Sequence, residues 1–265
     1  MITPPMEDRA MPRLPGSDTV QHSKLGARFG IYVLSTSLLC IPVAGRTATS
    51  RCRNRAGVIV AGHLSHEIQL DAVHPAKEWA KATPMTFCSD WQGRNADPQR
   101  QTTVRVLWSA QNLYLRFECR YRELYVFDDG DPNGRRDHLW ERDVAEAFVQ
   151  SDPLQPHYYK EFEVAPNGFW IDLDISPAPS RDLKSGLEHS TFLDKRQNRW
   201  FAELAIPLKS LTSDFNPGAV WRANFYRVEG REEPRFYSAW RPTHTPQPNF
   251  HVPRAFGELR FAPAR

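Results

Sequence analysis

The stretch TVRVLWSAQNLYLRFECRY, residues 103–121, decides the fold class of this chain. Apolar and polar residues alternate over 104–108 and again over 113–121, and the polar tetrapeptide Ser-Ala-Gln-Asn separates the two runs. Side chains of a β-strand point alternately to opposite faces of a sheet, so this alternation predicts two strands that each bury one face. The short connection predicts that the two strands form a hairpin.

The same alternation recurs further along the chain, where Pro, Gly, Asn and Asp separate short segments. We expect short helical turns at 74–82 and 207–211, and further strands at 145–150, 158–165, 169–175, 199–207, 220–230, 235–240 and 256–261. Many short strands with frequent turn signals, and no long amphipathic pattern, predict an all-β fold. We expect a single antiparallel β-sandwich of the jelly-roll or immunoglobulin-like type.

The charge of the chain is unevenly distributed. The 265 residues carry a formal net charge of +3, but residues 1–65 hold eight basic and three acidic side chains, and residues 66–265 hold 26 basic and 28 acidic ones. A nucleic-acid-binding domain would need a basic surface on its folded part. The slightly acidic C-terminal body therefore argues against nucleic acid as a partner.

Three segments are expected along the chain. Residues 1–48 are predicted to be a disordered leader with a secretory signal, because Lys24 and Arg28 precede an uncharged, mostly apolar stretch at 29–45. That stretch is short for a membrane span and contains a proline, so we expect no stable span; a buried strand or a retained anchor is the alternative. We expect a flexible basic segment at 49–65 and a folded domain at 66–265 that is secreted, periplasmic or held at the cell surface.

The four cysteines give no metal-site spacing. Cys88 and Cys119 both lie in strand-like contexts, so they could form a disulfide in an exported protein, or they could be two buried thiols. No Cys/His pattern resembles a zinc site. We expect no catalytic metal or organic cofactor from the residues alone.

The segment DHLWERDVAE, residues 137–146, is the densest group of charges. Glu141, Asp143 and Glu146 could supply the paired carboxylates of a glycoside hydrolase. Glu141 and Asp143 are only two positions apart before a predicted strand, however, so they would share one face instead of flanking a substrate. We therefore expect no enzyme, and consider a binding site or a solvated loop instead.

A sugar-binding site fits this segment better than catalysis. Sugars present apolar ring faces, on which aromatic rings stack, and hydroxyl rims, which carboxylates and amides hydrogen-bond. Trp140 lies in the acidic segment and Trp240 in a Pro-rich segment after a predicted strand. We expect both tryptophans at one end of the sandwich, and core positions for Trp79, Trp108, Trp170, Trp200 and Trp221.

An ordered series of segments resembles a family 9 carbohydrate-binding module. The resemblance covers most of residues 66–265 and rests on an opening with Asp71, Trp79 and Ala82, followed by TVRVLWSAQNLYLRFEC, LWERDVAEAFV, YYKEFEVAPNG, WFAELAIPLKSL, WRANFYRVEG, SAWRPT and FHVPRAFGELRF. The family implies a β-sandwich that binds glycans or polysaccharides without catalysis. It also implies secreted glycoside hydrolases as functional partners and structural calcium, whose ligands the resemblance does not identify here.

The resemblance also assigns site residues. It implies that Trp140 and Trp240 clamp a sugar, that Glu146 accepts hydrogen bonds from sugar hydroxyls and that Asn224 contributes an amide. One position departs from the family, because Glu163 stands where an arginine near the binding slot is expected. That departure puts the family's specificity for reducing ends in doubt.

Three alternatives remain open at this point. Similar sandwiches hold haem for electron transfer, but after residue 11 the chain has only Met85 as a methionine ligand. A hydrolase would use the acids of 137–146. A structural cell-surface domain with a decayed sugar site would explain the substitution at Glu163.

Overall fold

Thirteen β-strands form the part of the chain that the structure describes. The structure is a computed structural model, and it describes residues 57–131 and 134–264. The strands are β1 Val58–His63, β2 Met85–Phe87, β3 Thr102–Trp108, β4 Asn112–Arg120, β5 Val144–Gln150, β6 Tyr159–Val164, β7 Trp170–Ile175, β8 Arg181–Asp182, β9 Glu188–Asp194, β10 Arg199–Pro207, β11 Trp221–Glu229, β12 Phe236–Ala239 and β13 Gly257–Phe261.

Helical structure in the same residues is limited to single turns. One α-helical turn, α1 Leu208–Leu211, follows β10, and four 3₁₀ turns lie at Lys77–Lys81, Pro98–Arg100, Leu139–Glu141 and Pro253–Ala255. The all-β prediction is confirmed, and so are the two predicted helical turns.

The strands form two sheets that share β1. The first sheet has the order β8-β7-β6-β5-β11-β13-β1, with β12 beside β11, and the second has the order β1-β3-β4-β10-β9, with β2 beside β3. Strand β1 pairs in parallel with β13 through Val58–Ala61 and then in parallel with β3 through Gly62 and His63. All other strand pairs are antiparallel. Among the described strands, β1 is therefore the departure from the predicted antiparallel arrangement.

The first sheet buries both of its faces, and the two faces differ. Along β5, Ala145, Ala147 and Val149 point into the large core between the two sheets, together with Trp200, Trp221 and Phe225. Phe148 belongs to a second cluster on the outer face of the same sheet, with Tyr226 and Phe250 among its members. Because side chains alternate along a strand, Glu146 also lies on the outer face. That outer face carries the candidate site.

The predicted core tryptophans are largely confirmed. Trp79, Trp108, Trp200 and Trp221 are buried, and Trp170 is half-buried against the core between the sheets.

The predicted flexible segment is wrong in its second half, because Val58–His63 forms β1 between the two sheets. The leader, its signal sequence and residues 49–56 lie outside the described residues. No helix in the described part is long and apolar enough to cross a membrane.

The disulfide between Cys88 and Cys119, one of the two alternatives left open by the sequence, does not form. Cys119 is a buried free thiol that accepts a hydrogen bond from Thr102 Oγ1 at 3.9 Å, whereas Cys88 is disulfide-bonded. Strands β2 and β4 pair with opposite edges of β3, so the two cysteines are about two strand spacings apart, or roughly 9–10 Å. A disulfide needs a Cα separation below about 7 Å.

Candidate functional site

A cavity of about 780 Å³ lies on the outer face of the first sheet. Its sheet residues come from β5, β6, β7, β11 and β12, and are Glu146, Glu161, Leu173, Ile175, Val228 and Tyr237. The remaining lining comes from connecting segments, at Tyr125, 140–142, Ser176, Ser180, Arg231, Glu233, Arg235 and 248–251. A rigid sheet thus provides the floor, and loops provide the walls.

Trp140 is the most exposed aromatic side chain of the cavity. It lies in the 3₁₀ turn Leu139–Glu141, and its side chain remains 39% exposed. The fully buried Leu139 anchors the turn, and Arg235 Nη1 donates a hydrogen bond to the Trp140 carbonyl oxygen at 3.1 Å. His138 packs against the indole with a centroid distance of 4.9 Å. The ring is held in place while part of its surface stays open, as a stacking platform requires.

Two tyrosines also line the cavity, in different environments. Cations already lie over the Tyr125 ring, with Arg142 at 4.1 Å and Arg231 at 4.5 Å from its centroid. Tyr237 lies on β12, is half-buried and contacts Phe250 edge-on at 6.1 Å. Arg235 also lies over the Tyr237 ring, but at 6.0 Å from its centroid, so Tyr237 is less covered by cations than Tyr125 and is the second candidate ring of the cavity.

Trp240 does not line the cavity, which corrects the predicted tryptophan clamp. Its side chain is 3% exposed, belongs to the core between the sheets and contacts Phe225 at 5.8 Å. The backbone N–H of Trp240 donates to the Phe225 carbonyl, which continues the β11–β12 pairing and turns the indole inward. Gly257 leaves room for the ring, since a Cβ there would lie 2.6 Å from it.

Glu146 does line the cavity, and two further acids lie beside it. Strands β5 and β6 place Glu146 opposite Glu163, and Glu161 lies two positions along β6 on the same face. One carboxylate oxygen from each residue lies within 4.8 Å of the others. All three side chains are at most 3% exposed. Glu163, at the position of the expected arginine, therefore places a third acid, and no cation, behind the two acids that line the cavity.

Burial raises the pKa of all three carboxyl groups. Repulsion adds to this at two of them, because Glu161 raises the pKa of Glu146, and both of these raise the pKa of Glu163. A hydrogen bond with Glu163 instead lowers the pKa of Glu161. Two neighbouring side chains act in the opposite direction, because Arg235 lowers the pKa of Glu146 and His251 lowers that of Glu161. The floor is thus a place where negative charge is costly and a positive or hydrogen-bonding ligand is favoured.

Asn224 does not reach the cavity, contrary to the prediction. It is fully buried, and its carboxamide oxygen accepts hydrogen bonds from the backbone N–H groups of Phe225 and Arg241, both at 2.9 Å. Its nitrogen donates to the Tyr226 hydroxyl at 2.7 Å and to the Arg241 carbonyl at 2.9 Å. Tyr226 in turn donates to the Phe250 carbonyl at 2.9 Å. Asn224 therefore positions a wall of the cavity and has no free polar group for a ligand.

The structure separates the other acids that could have formed a hydrolase site. Glu141 lines the cavity, but Asp143 is fully buried and accepts a hydrogen bond from Gly230 N at 2.8 Å, with Arg235 3.7 Å away. Met85 lies in the core between the sheets at 3% exposure, so it does not line the cavity as a haem ligand.

Sequence reasoning missed Glu161 and Tyr237. Both lie on strands that the alternation predicts, but the alternation does not say which face of each strand meets the cavity. The spacing of Glu161 and Glu163 is the one signal that places two acids on the same face of β6.

Known proteins resemble this chain in sequence and in fold. An extracellular protein of Arthroderma benhamiae is 27% identical over 181 residues, which cover 62% of this chain and 80% of that protein. Structures of a family 9 carbohydrate-binding module from Caldicellulosiruptor kristjanssonii, in complex with cellotriose and with glucose, each give a TM-score of 0.56 at 16% and 15% identity. The matched regions cover 78% of this chain and 95% and 97% of those chains. At this identity the likeness shows a shared β-sandwich fold.

A family model gives the assignment. The model described as carbohydrate family 9 binding domain-like matches residues 70–262, which include all strands from β2 to β13 and every residue of the cavity. The chain therefore belongs to the family 9 carbohydrate-binding domain-like proteins.

Proposed function

We propose that the chain is an exported, non-catalytic protein that binds a neutral glycan in the cavity on the outer face of the first sheet. The observation that carries the proposal is the half-open indole of Trp140 beside the buried carboxyl groups of Glu146 and Glu161, all lining one cavity. An aromatic surface and hydrogen-bonding carboxyl groups are complementary to the ring face and the hydroxyls of a hexose.

Trp140 is proposed as the stacking platform, with Tyr237 as the second aromatic surface. Since Trp240 is in the core, the family's pair of tryptophans is replaced here by one tryptophan and a tyrosine of another strand. Glu146 keeps the role that the resemblance implies, because it is both buried and cavity-lining. Neutral sugars are favoured, since anionic sugars would meet the acidic floor.

Export and partners follow from the family and its relatives. The relative from Arthroderma benhamiae is an extracellular protein, and the predicted leader is consistent with the same destination. The Caldicellulosiruptor module binds cellotriose and glucose, so β-linked glucans are the first ligands to test. Secreted glycoside hydrolases acting on the same polysaccharide are its proposed partners.

Calorimetric titration of the protein with glucose and cellotriose tests the proposal. Trp140→Ala is expected to weaken binding at least tenfold, because a stacked ring contributes on the order of 1 kcal/mol beyond its area burial. Tyr158→Ala is the matched control, since Tyr158 is 51% exposed and does not line the cavity. Equal affinity of Trp140→Ala and the unaltered protein would reject the site.

A structural domain without sugar binding is the second candidate. The burial of Trp240 favours it, because one arm of the family's clamp is missing. It predicts no binding of any glycan in the same titrations. Incubation with xylan and glucan separates a hydrolase from both, because release of reducing sugar would reveal catalysis.

A further inference from the structure

The three acids of the cavity floor lack the hydrogen-bond partners that buried carboxylates normally have. Within the described residues, Glu146 Oε1, Glu161 Oε2 and both carboxylate oxygens of Glu163 are buried without a hydrogen-bond partner. Nearly all buried polar side-chain atoms in native proteins have such a partner. The carboxyl groups of Glu161 and Glu163 can hydrogen-bond each other only if one of them carries a proton, so the cluster needs either protons or a cation to neutralise it.

Neighbouring donors are already engaged elsewhere. The Tyr226 hydroxyl donates to the Phe250 carbonyl, and the Asn224 amide donates to Tyr226 and to Arg241. Tyr159 and His251 are hydrogen-bonded to each other at 2.7 Å. Arg235 donates to the carbonyls of Gly230 and Trp140 and lies near Asp143. Only Arg235 Nη2 has no hydrogen-bond partner among these donors, and this one cation acts on Asp143 as well as on Glu146, so it does not offset three carboxylates.

The chemistry of the cluster selects a hard divalent cation. It offers only carboxylate oxygens, which calcium and magnesium prefer, and no sulfur or imidazole donor, which zinc and copper prefer. Two ligands on opposite sides of a calcium ion lie about 4.6–5.2 Å apart, since each bond is about 2.3–2.6 Å. Oxygens within 4.8 Å of one another can share one ion, and calcium tolerates irregular sets of protein carboxylates, whereas magnesium demands near-ideal octahedral geometry and keeps several waters.

We propose that Glu146, Glu161 and Glu163 bind one calcium ion in the floor of the cavity. Two of these ligands, Glu146 and Glu161, line the cavity, while Glu163 does not. Calcium takes six to eight oxygen ligands, so coordination positions remain open on the cavity side. The second part of the proposal rests on the proposed function: hydroxyl oxygens of the bound sugar occupy some of these positions and replace water.

Direct binding of calcium tests the first part without any sugar. The full chain is treated with a chelator, dialysed and titrated with CaCl₂ in a calorimeter, and its melting temperature is recorded with and without CaCl₂. One saturable site and a melting temperature several degrees higher are expected, because a ligand that binds only the native state stabilises it. MgCl₂ is expected to bind at least tenfold more weakly.

Glu163→Gln and Glu161→Gln keep the shape of the side chain and remove one charged ligand each. Both are expected to lower calcium affinity at least tenfold. Glu188→Gln is the control, because Glu188 is exposed on β9 in the other sheet. The calcium site would be overturned if the protein bound no calcium, or if the control and both cluster variants bound calcium with equal affinity. In that case protons, and not a cation, neutralise the three carboxyl groups.

Titration of cellotriose with CaCl₂ and with a chelator tests the second part. Sugar affinity is expected to fall at least tenfold in the chelator, while Trp140→Ala loses sugar binding but keeps calcium binding. Equal sugar affinity in both buffers would overturn the second part alone. Calcium binding without any sugar binding would overturn the proposed function and leave the cation site intact.

Discussion

Both sheets bury acidic side chains on their outer faces, but the hydrogen-bond and ion-pair partners of these acids differ between the two faces. On the second sheet, Glu203 of β10 is fully buried and forms an ion pair with Arg116 of the neighbouring strand β4. It also accepts a hydrogen bond from Asp71 N at 3.0 Å. On the first sheet, Glu146, Glu161 and Glu163 are just as buried, and four of their oxygens have no partner within the described chain.

The difference separates a structural acid from a ligand-binding one. Burial raises the pKa of Glu203, but Arg116 and the Asp71 N–H act against that rise. At the cluster, burial and mutual repulsion both raise the pKa of Glu163, and no cation opposes them there. A buried carboxylate without a partner destabilises the native state, so its presence beside a cavity indicates a ligand.

The largest expected effect comes from removing the partner on the second sheet. Arg116→Met leaves Glu203 buried without its cation and should lower the free energy of unfolding by about 3–5 kcal/mol. Urea denaturation measures this, with the exposed Arg120→Met on the same strand as control. The double variant Arg116→Met/Glu203→Leu should recover most of the loss, because replacing both partners by apolar groups is often neutral. A loss below about 1 kcal/mol in the single variant would show that the two faces do not differ as described.

A smaller change in the free energy of unfolding, of opposite sign, is expected for the cluster of Glu146, Glu161 and Glu163. In chelator at pH 7, Glu163→Gln should raise the free energy of unfolding by about 1–2 kcal/mol. The buried carboxyl group must either carry a charge beside two other acids or take up a proton, and the amide needs neither. The same urea denaturation measures it, and Glu188→Gln should change nothing. A destabilisation like that of Arg116→Met would instead mean that Glu163 has a partner and that the contrast between the faces is wrong.

The smallest effect is expected at the rim of the second sheet. Glu67 accepts hydrogen bonds from Tyr114 Oη at 2.5 Å, Ser109 Oγ at 2.7 Å and Asn112 Nδ2 at 2.9 Å. Burial raises its pKa, but these hydrogen bonds outweigh burial and hold the pKa below its ordinary value.

Because the pKa of Glu67 is lower in the folded than in the unfolded protein, its carboxylate stabilises the fold at pH values above the unfolded-state pKa of about 4.3. This stabilisation is lost as the pH falls through the pKa of Glu67 in the folded protein. Because Glu67 is exposed, Glu67→Gln should cost only about 0.5 kcal/mol at pH 7. Melting curves of both proteins should converge once the pH falls below the folded-state pKa of Glu67. A difference that persists or grows in acid would contradict the assignment.

Most of the fold follows from the alternation of residues, and the missing strands show its limit. Strands such as β4 and β10 have strong alternation because one face meets the core between the sheets. Edge strand β9 is missed because its residues are mostly half-buried, so polar side chains are tolerated on both faces. Strand β1 is missed because its six residues follow a basic segment and include a glycine.

The site was predictable only in part. Trp140 and Glu146 follow from the family resemblance and do line the cavity. The prediction for Trp240 was wrong because a motif does not show whether the residue after a strand continues the strand pairing. Here Trp240 continues the pairing of β12 with β11, and its indole points into the core. Glu161 becomes part of the site only through the register of β5 with β6, which one sequence does not reveal.

The position of β1 between the two sheets has a consequence for how the protein folds. Val58 pairs with Glu258, so the first described strand and the last one must meet before the first sheet is complete. Contacts between residues so distant in the chain slow folding, because a long loop must close first. During synthesis at about 5–20 residues per second, β1 waits roughly 10–40 s for β13. For that time its backbone edge and the apolar surface around it are open to other chains, and aggregation competes with folding.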